Sequence, residues 1–299
     1  MKKIVGLGAN VLDFLISCES FPIEDKKMRA EKITLSGGGP VGNALVIASK
    51  LGVSSAAIGM LADDSSGERI LSELRQFGVH ADGIKIAPNT TSFVSYIILS
   101  ESAGSRTCLY HRGTVPDDAE ALDLSAIDGD SILHLDGNYL QSALKAARYA
   151  KSVGALVSLD AGGLYEGIEE LLTLVDILIP SAEFAMGITG ASDAREAMLA
   201  LYERYRPGVL VVTNGADGGY YMENGEALRY ESFKIKPIDT NGAGDTFHGA
   251  FVSEYLNGGS VYECCRFASA VSAYKCIHKG VRSFDLNRAI IHEFINKES

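Results

Sequence analysis

The sequence predicts an α/β domain of three layers, in which a mostly parallel sheet lies between two layers of helices. The chain has 299 residues, and 46% of them are hydrophobic, which is enough for one large domain with an ample core. From residue 131 onward, short buried strand patterns alternate with helical patterns. Earlier in the chain, two pairs of strands interrupt this alternation, so we expect a small second sheet outside the main one.

The first half of the chain contains the two inserted strand pairs. The predicted strands are 4–7, the first pair 12–20 and 28–35 with a turn over 22–27, 54–60, and the second pair 92–99 and 106–110 with a turn over 102–104. A helix follows the glycine-rich turn 36–43 and stops at Gly52, since glycine is common just beyond a helix C-terminus. Ser65 and Glu68 form a predicted capping box for a second helix, which ends at Gly78.

The second half follows the alternation of strands and helices. The predicted elements are strands over 131–135, 155–160, 175–179 and 208–213 and helices over 139–153 and 192–205. Residues 233–238 have the pattern of a further strand, which runs into a glycine turn and a helix N-terminus. A long helix over 261–278 carries an apolar stripe, which is more typical of core packing than of a cofactor site.

Composition restricts the classes of partner and the compartment. The net charge of −11 argues against a nucleic-acid-binding surface, which needs clustered basic residues. The five cysteines are odd in number and show no C-x-x-C spacing, so a reduced cytosol fits best. The N-terminus leads straight into a short strand, and we therefore expect neither a signal peptide nor a membrane span.

The stretch 239–252 carries the strongest chemical signal. Gly242 and Gly244 let the backbone come close to a ligand, and the first turn of the following helix offers N–H groups and a positive dipole end to an anion. Asp245 is unexpected there, because a carboxylate repels an anion. It fits if it accepts the proton of a hydroxyl that attacks a phosphoryl group. The alternative is that Asp245 only complements the helix dipole.

Other polar positions are less specific. Gly6 and Gly8 resemble the start of a dinucleotide fingerprint, but Val11 lies where the third glycine belongs and no helix follows. Asp13 lies at the carboxyl end of the first strand, where open α/β sheets bind ligands; a surface position is the alternative. The turn 36–43 lacks the ending of a P-loop, and it either brings backbone amides and a side-chain amide to a polyhydroxyl ligand or is only a tight turn before a helix.

These motifs together resemble the ribokinase-like (PfkB) family of ATP-dependent carbohydrate kinases over nearly the whole chain. Residues 36–43 are similar to the first family signature, and residues 239–252 to the second and more specific one. The resemblance implies a ribokinase-like three-layer α/β/α fold with a small β-sheet lid. It also implies a single kinase domain over 1–299, with lid segments 11–35 and 89–115 inserted.

The resemblance implies a role for each matching residue. Asp245 is the implied general base, and Gly242, Ala243 and Gly244 form the implied anion hole. The implied substrate-binding residues are Asp13, Gly38, Gly39, Asn43 and Asp136. The implied nucleotide-site residues are Thr213, Gly215, Gly218, Ser181 and Gly280.

The implied cofactors are ATP, Mg²⁺ and K⁺. Asp239 matches the position that holds a monovalent cation in many relatives, together with backbone groups near Asn241 and Gly280. Many relatives carry Asn-x-x-Glu near the Mg²⁺ shell. This chain has Ser181 at the asparagine position and its acid one residue early, at Glu183, which we name as the candidate.

The substrate and the assembly follow less directly. Lid residues 101–107 and 114–117 resemble ketohexokinase-type members, which favours fructose, ribose or a related ketose or pentose. Several carboxylates around the sugar would repel an anionic substrate. Arg112 or Lys27 could instead pair with one, so a kinase for an anionic sugar is an alternative. A catalytically silent sugar-binding regulator is another. Because the apolar lid residues cannot all face the main domain, we expect a homodimer through the lid.

Overall fold

A computed structural model describes residues 2–103 and 105–298 and contains two β-sheets. The strands are β1 (Lys3–Leu7), β2 (Val11–Cys18), β3 (Lys32–Gly38), β4 (Ser54–Ala62), β5 (His80–Ala87), β6 (Val94–Ser100), β7 (Ser105–His111), β8 (Ser131–Leu135), β9 (Leu156–Ala161), β10 (Ile177–Pro180), β11 (Val209–Thr213), β12 (Gly219–Glu223) and β13 (Glu226–Tyr230). The helices are α1 (Pro40–Lys50), α2 (Ser65–Gln76), α3 (Leu140–Ser152), α4 (Ile168–Leu172), α5 (Ala182–Thr189), α6 (Ala194–Tyr205), α7 (Ala243–Leu256), α8 (Val261–Cys276) and α9 (Arg288–Glu298).

The large sheet is mostly parallel, as predicted. Its strands lie in the order β13-β12-β11-β10-β9-β8-β1-β4-β5, and only β12 and β13 pair antiparallel to their neighbours. Parallel neighbours need crossover connections, which is why helices separate most of these strands in the chain. The carboxyl ends of β1, β8, β9, β10 and β11 therefore lie at one edge, where ligands of such sheets bind.

Two hydrophobic cores cover the two faces of the large sheet. Successive strand residues point to opposite faces. Ile132 therefore packs into the core formed with α1, α2, α7, α8 and α9, while Leu133 packs into the core formed with α3, α4, α5 and α6. This arrangement is the predicted three-layer architecture. No helix among residues 2–103 and 105–298 is both long and apolar enough to span a membrane.

The small sheet has the order β3-β2-β6-β7 and joins the two predicted strand pairs. The pair β2–β3 and the pair β6–β7 are antiparallel, and β2 and β6 connect them in parallel. Strand β3 extends to Gly38, and Gly39 then forms the N-cap of α1. The predicted turn 36–43 is therefore half strand and half helix. Of the predicted hairpin turn 102–104, Gly104 lies outside the described residues.

Several local predictions were wrong. Residues 233–238 form no regular strand, because Pro237 cannot donate to a ladder and the Ile238 N–H donates to the Cys276 carbonyl instead. The N-cap of α2 is Asp64 rather than Ser65, since the Asp64 carboxylate accepts the Gly67 N–H at 2.8 Å. The prediction also missed β5, β12, β13, α4, α5 and α9.

Candidate active site

The turn before α7 is open toward solvent on one side. Gly242 is its N-cap and has a φ of 67°, in the left-handed region that favours glycine. Gly244 is exposed, and a Cβ added there would meet nothing within 4 Å. The Ala243 N–H donates to the Thr240 carbonyl at 3.3 Å. Of the three predicted anion-hole residues, Gly244 thus has the most accessible backbone, and its N–H lies in the first turn of a helix of 14 residues.

Asp245 follows that turn and is partly buried. The Asn43 side-chain amide donates to its Oδ2 at 2.7 Å. Burial raises the pKa of Asp245, and the negative charge of Asp160 raises it further, whereas the Asn43 hydrogen bond favours the ionised form. The carboxylate therefore has the properties of a base whose charged form is held in place by one fixed donor.

A buried arginine fixes that donor. Arg282 is only 2% exposed, and its Nε donates to the Asn43 Oδ1 at 2.8 Å. Its Nη2 donates to the Gly38 carbonyl at 3.1 Å and its Nη1 to the Glu73 carboxylate at 3.3 Å. A Cβ at Gly37 would lie 2.0 Å from Nη1, so the glycine-rich turn accommodates this guanidinium. Sequence reasoning missed Arg282 and Glu73.

Asp13 lies on the face of the small sheet that points into the site. It pairs with Ser95 in the register of β2 and β6, and the Ser95 hydroxyl donates to its carboxylate. Burial raises the pKa of Asp13 to about 6, although the Ser95 hydrogen bond and the Arg282 charge oppose this. The nearby Asn10 was not predicted, and its buried Oδ1 has no hydrogen-bond partner among the described residues. Asp13 and Asn10 can both accept hydrogen bonds from hydroxyls.

Asp136 directly follows β8, and its carboxylate binds two backbone segments. Its two carboxylate oxygens accept the N–H groups of Ala9 at 2.8 Å and Asn138 at 3.0 Å. Burial raises its pKa to about 6. A Cβ at Gly8 would lie 2.5 Å from this carboxylate, so the packing of Asp136 leaves room only for a glycine at position 8. The chain runs from β1 directly into β2, and the dinucleotide interpretation of Gly6 and Gly8 is wrong.

Asp160 is a further acid that sequence reasoning missed. It lies at the carboxyl end of β9, and its Oδ1 is 3.1 Å from Nε2 of His248 on α7. The negative charge of Asp160 raises the pKa of both Asp136 and Asp245, so it interacts electrostatically with both acids. The signal that could have found it is its position as the last residue of a predicted strand. The neighbouring His134 is buried, which lowers its pKa to about 3.

Four of the five predicted nucleotide-site residues lie at or just after the ends of two neighbouring strands, whereas Gly280 follows α8 and donates its N–H to the Asp239 carboxylate. Thr213 ends β11 and forms an isolated parallel bridge with Ser181, which follows β10. The Ser181 hydroxyl accepts the Phe184 N–H at 3.1 Å, so it is the N-cap of α5. Gly215 and Gly218 lie in the turn between β11 and β12. Glu183 is exposed on the first turn of α5.

Two lid arginines differ in what they contact. Arg112 donates to the Asn138 carbonyl at 2.6 Å, and its guanidinium carbon lies 5.9 Å from the centre of the Phe93 ring. Arg106, which was not predicted, donates from the start of β7 to the Asn241 side chain at 3.0 Å. The lid therefore brings a positive charge to the residue directly before Gly242.

The predicted monovalent-cation position contains a lysine. The Asp239 carboxylate accepts the Asn241 N–H at 2.9 Å and the Gly280 N–H at 2.8 Å. The Lys275 Nζ lies 3.5 Å from its Oδ2 and donates to the Asp239 carbonyl at 2.6 Å. Two unit charges at about 4 Å repel by about 4 kcal/mol at an effective dielectric near 20. The residues present therefore do not fit K⁺ at this carboxylate.

Comparison with known proteins identifies the family. A sequence model described as pfkB family carbohydrate kinase matches residues 1–287. The chain belongs to this family. It is 27% identical to the ketohexokinase of Mus musculus, over 95% of this chain and 98% of that protein. It is also 27% identical to the ribokinase of Haemophilus influenzae, over 98% of each.

Solved structures give the same result for the fold. The ribokinase of Arabidopsis thaliana complexed with ribose and ATP superposes with a TM-score of 0.83 and 25% identity, over 98% of each chain. The PfkB resemblance and the ribokinase-like fold predicted from the sequence are both confirmed, and the protein is an enzyme of the carbohydrate-kinase class.

Proposed function

We propose that this enzyme transfers the γ-phosphoryl group of ATP to a primary hydroxyl of a small neutral sugar, with Asp245 as the general base. The observation that carries the proposal is the pairing of Asp245 with the open glycine turn at the start of α7. Asp245 is held by Asn43 at 2.7 Å, one residue from the exposed backbone of Gly244. A base and an anion-binding turn side by side suit phosphoryl transfer to an alcohol.

The proposed reaction has one chemical step. The sugar hydroxyl gives its proton to Asp245 while its oxygen forms a bond to the γ-phosphorus, and the bond to ADP breaks. The N–H groups at the start of α7 stabilise the phosphoryl oxygens. Arg106, at the Asn241 side chain, adds a positive charge on the lid side.

Mg²⁺ neutralises phosphate charge when it is bound with the nucleotide. Such an ion usually takes one or two carboxylates and fills its other positions with phosphate oxygens and water. Glu183 is an exposed carboxylate at the edge where β10 ends, so it fits this role. For ATP, we propose that Thr213, Gly215 and Gly218 contribute to the nucleotide site.

The carboxylates in the site support a neutral sugar. Asp13 and Asn10 offer acceptors for hydroxyls. A Cβ at Gly38 would lie 2.1 Å from the Asp13 carboxylate, so this glycine keeps the space beside the carboxylate open. Two like charges at about 6 Å repel by roughly 3 kcal/mol at an effective dielectric near 20, so an anionic sugar is disfavoured beside Asp13 and Asp245. Arg112 is already bound to the Asn138 carbonyl. The names of the relatives, ketohexokinase and ribokinase, support a ketose or a pentose.

The same proposal includes a cytosolic homodimer. All five cysteines are free thiols, which suits a reducing compartment. The outer face of the small sheet exposes the apolar side chains of Tyr96 and Leu109, which suits a subunit contact.

A panel of sugars tests the proposed reaction. We expect ADP release with fructose, ribose or a related neutral sugar, and a much lower kcat/KM with matched sugar acids and sugar phosphates. Addition of EDTA should abolish turnover, because the phosphate charge is then not neutralised.

Two arginine variants test charge recognition: Arg112→Ala on the lid, with Arg195→Ala as its surface control. Arg112→Ala should leave the preference for neutral sugars intact, as should Arg195→Ala on the exposed surface of α6. A strong preference for an anionic sugar that Arg112→Ala abolishes would overturn the neutral-sugar proposal. Clear sugar binding without turnover of any sugar would overturn the proposal that the protein phosphorylates its sugar.

A further inference from the structure

Lys275 is a fully buried lysine beside the catalytic turn. Its side chain is 0% exposed, and lysine is almost never fully buried unless it is paired. It lies in the last turn of α8, and its Nζ donates to the Asp239 carbonyl at 2.6 Å. Burial lowers the pKa of this amine, and the Asp239 carboxylate, 3.5 Å away, opposes that effect and favours the charged form.

The Lys275 ammonium and Asp239 together join three segments of the site. The Asp239 carboxylate binds the N–H groups of Asn241 and Gly280, and the Cys276 carbonyl accepts the Asp239 N–H at 3.1 Å. Asn241 directly precedes Gly242, the N-cap of α7. The ammonium therefore stabilises a carboxylate whose contacts determine where the catalytic turn begins.

We infer that the Lys275 ammonium is a built-in monovalent cation that replaces K⁺ at Asp239. The inference rests on the proposed kinase function and changes one of its expectations, the requirement for potassium. A second positive ion at the same carboxylate would face the ammonium within a few ångströms and the nearby Arg106 guanidinium as well. Lys275 is thus a positioning residue, because it acts on the reacting groups through Asp239 and the turn.

The first experiment uses the unmodified protein. Sugar phosphorylation is measured in tetramethylammonium salts and again after replacement by K⁺, NH₄⁺ or Na⁺ at constant ionic strength. We expect kcat and KM to be unchanged by the cation. We also expect K⁺ to leave the melting temperature of the protein unchanged. Strong activation by K⁺, or a rise in melting temperature specific to K⁺, would overturn the inference.

The second experiment removes the ammonium. Lys275→Ala leaves Asp239 without its cation and should lower kcat by about tenfold to a hundredfold in tetramethylammonium, since small misplacements of reacting groups are costly. K⁺ or NH₄⁺ should restore much of this loss and raise the melting temperature of the variant, because either ion can occupy the vacated volume. A loss that no cation restores, in a folded variant, would contradict the inference.

The matched control is Lys50, a lysine that is only partly buried. Lys50 donates to the Arg282 and Phe284 carbonyls at 2.6 Å each, without an acidic partner among these contacts. Lys50→Ala should be destabilised with no cation-specific rescue. If Lys275→Ala does not fold, the cation tests on the unmodified protein still decide the matter. If no sugar is phosphorylated at all, the proposed function fails, and the melting temperatures test the cation inference separately.

Discussion

Asp245 owes its position to a run of polar contacts that begins far away in the sequence. Glu73 on α2 pairs with the buried Arg282, Arg282 donates to Asn43 on α1, and Asn43 donates to Asp245 on α7. Because the Asn43 side-chain oxygen accepts a hydrogen bond from the arginine, its N–H₂ group must face the Asp245 carboxylate. The proposed base is therefore oriented by groups from three other parts of the chain.

Removal of the Asn43 amide should change the pH dependence of the reaction. The hydrogen bond favours ionised Asp245, and the loss of a bond to a charged group costs about 1.5–3 kcal/mol, or about one to two pH units. The base must be ionised to accept a proton. Asn43→Ala should thus move the acid limb of kcat/KM to higher pH by about that amount. An unchanged limb would show that Asn43 has only a packing role; Ser142→Ala, a buried polar truncation on α3, is the control.

The two glycine-rich stretches, 36–43 and 239–252, identified Asn43 and Asp245 from the sequence. Nothing local pointed to the residues that support them. Arg282 contacts Asn43 across a separation of 239 residues, and Glu73 lies 209 residues from Arg282. A lone arginine two residues after a glycine carries no signal of burial. Asp160 was within reach of prediction, because it ends a strand that the hydrophobic pattern identified.

The small sheet is the element that separates the site from a further apolar face. Asp13 and Ser95 point into the site, and their neighbours Phe14 and Tyr96 point away from it, since strand residues alternate between faces. On that outer face the register aligns Leu35, Phe14, Tyr96 and Leu109 in one row across all four strands. The rings of Phe14 and Tyr96 stack at 4.9 Å.

This row supports a two-fold contact between lids. Leu35 and Phe14 are partly buried against the large core, whereas Tyr96 is 43% exposed and Leu109 is 55% exposed. Exposed apolar side chains grouped in this way are typical of a subunit interface. We expect a dimer by light scattering at micromolar concentration. Leu109→Glu should shift it toward monomer, whereas the control Leu199→Glu, on the surface of α6, should not. A monomeric unmodified protein would contradict the contact.

The sequence predicted the strand pairs because each alternates apolar and polar residues around a turn. It did not predict how far β3 would run. Strand β3 covers 32–38 rather than 28–35. It ends later than predicted because Gly37 and Gly38 pair with Leu12 and Val11. Glycine is a poor strand former, so local propensity ended the predicted strand too early.

The whole molecule places chemically different groups at one edge of the large sheet. The ends of β1, β8 and β9 bring Asn10, Asp136 and Asp160 to that edge, and the ends of β10 and β11 bring Ser181 and Thr213. The alternation of strands and helices was enough to predict the parallel sheet and hence this edge. The missed pair β12–β13 extends the sheet beyond β11 and follows the glycine turn at Gly215 and Gly218, where the strand signal is weak.

The central claim is that Asp245 is the base, and Asp245→Asn tests it most directly. The amide keeps the size of the side chain but cannot accept the proton, so kcat should fall by about 10²–10⁴ while sugar and ATP affinities stay within several-fold. In the unmodified enzyme, kcat/KM should fall as the pH is lowered. The fall should begin above the range of an ordinary carboxyl, because burial raises the pKa of Asp245 and raises that of Asp13 to about 6. An Asp245→Asn enzyme that retains half of the original kcat would contradict the account.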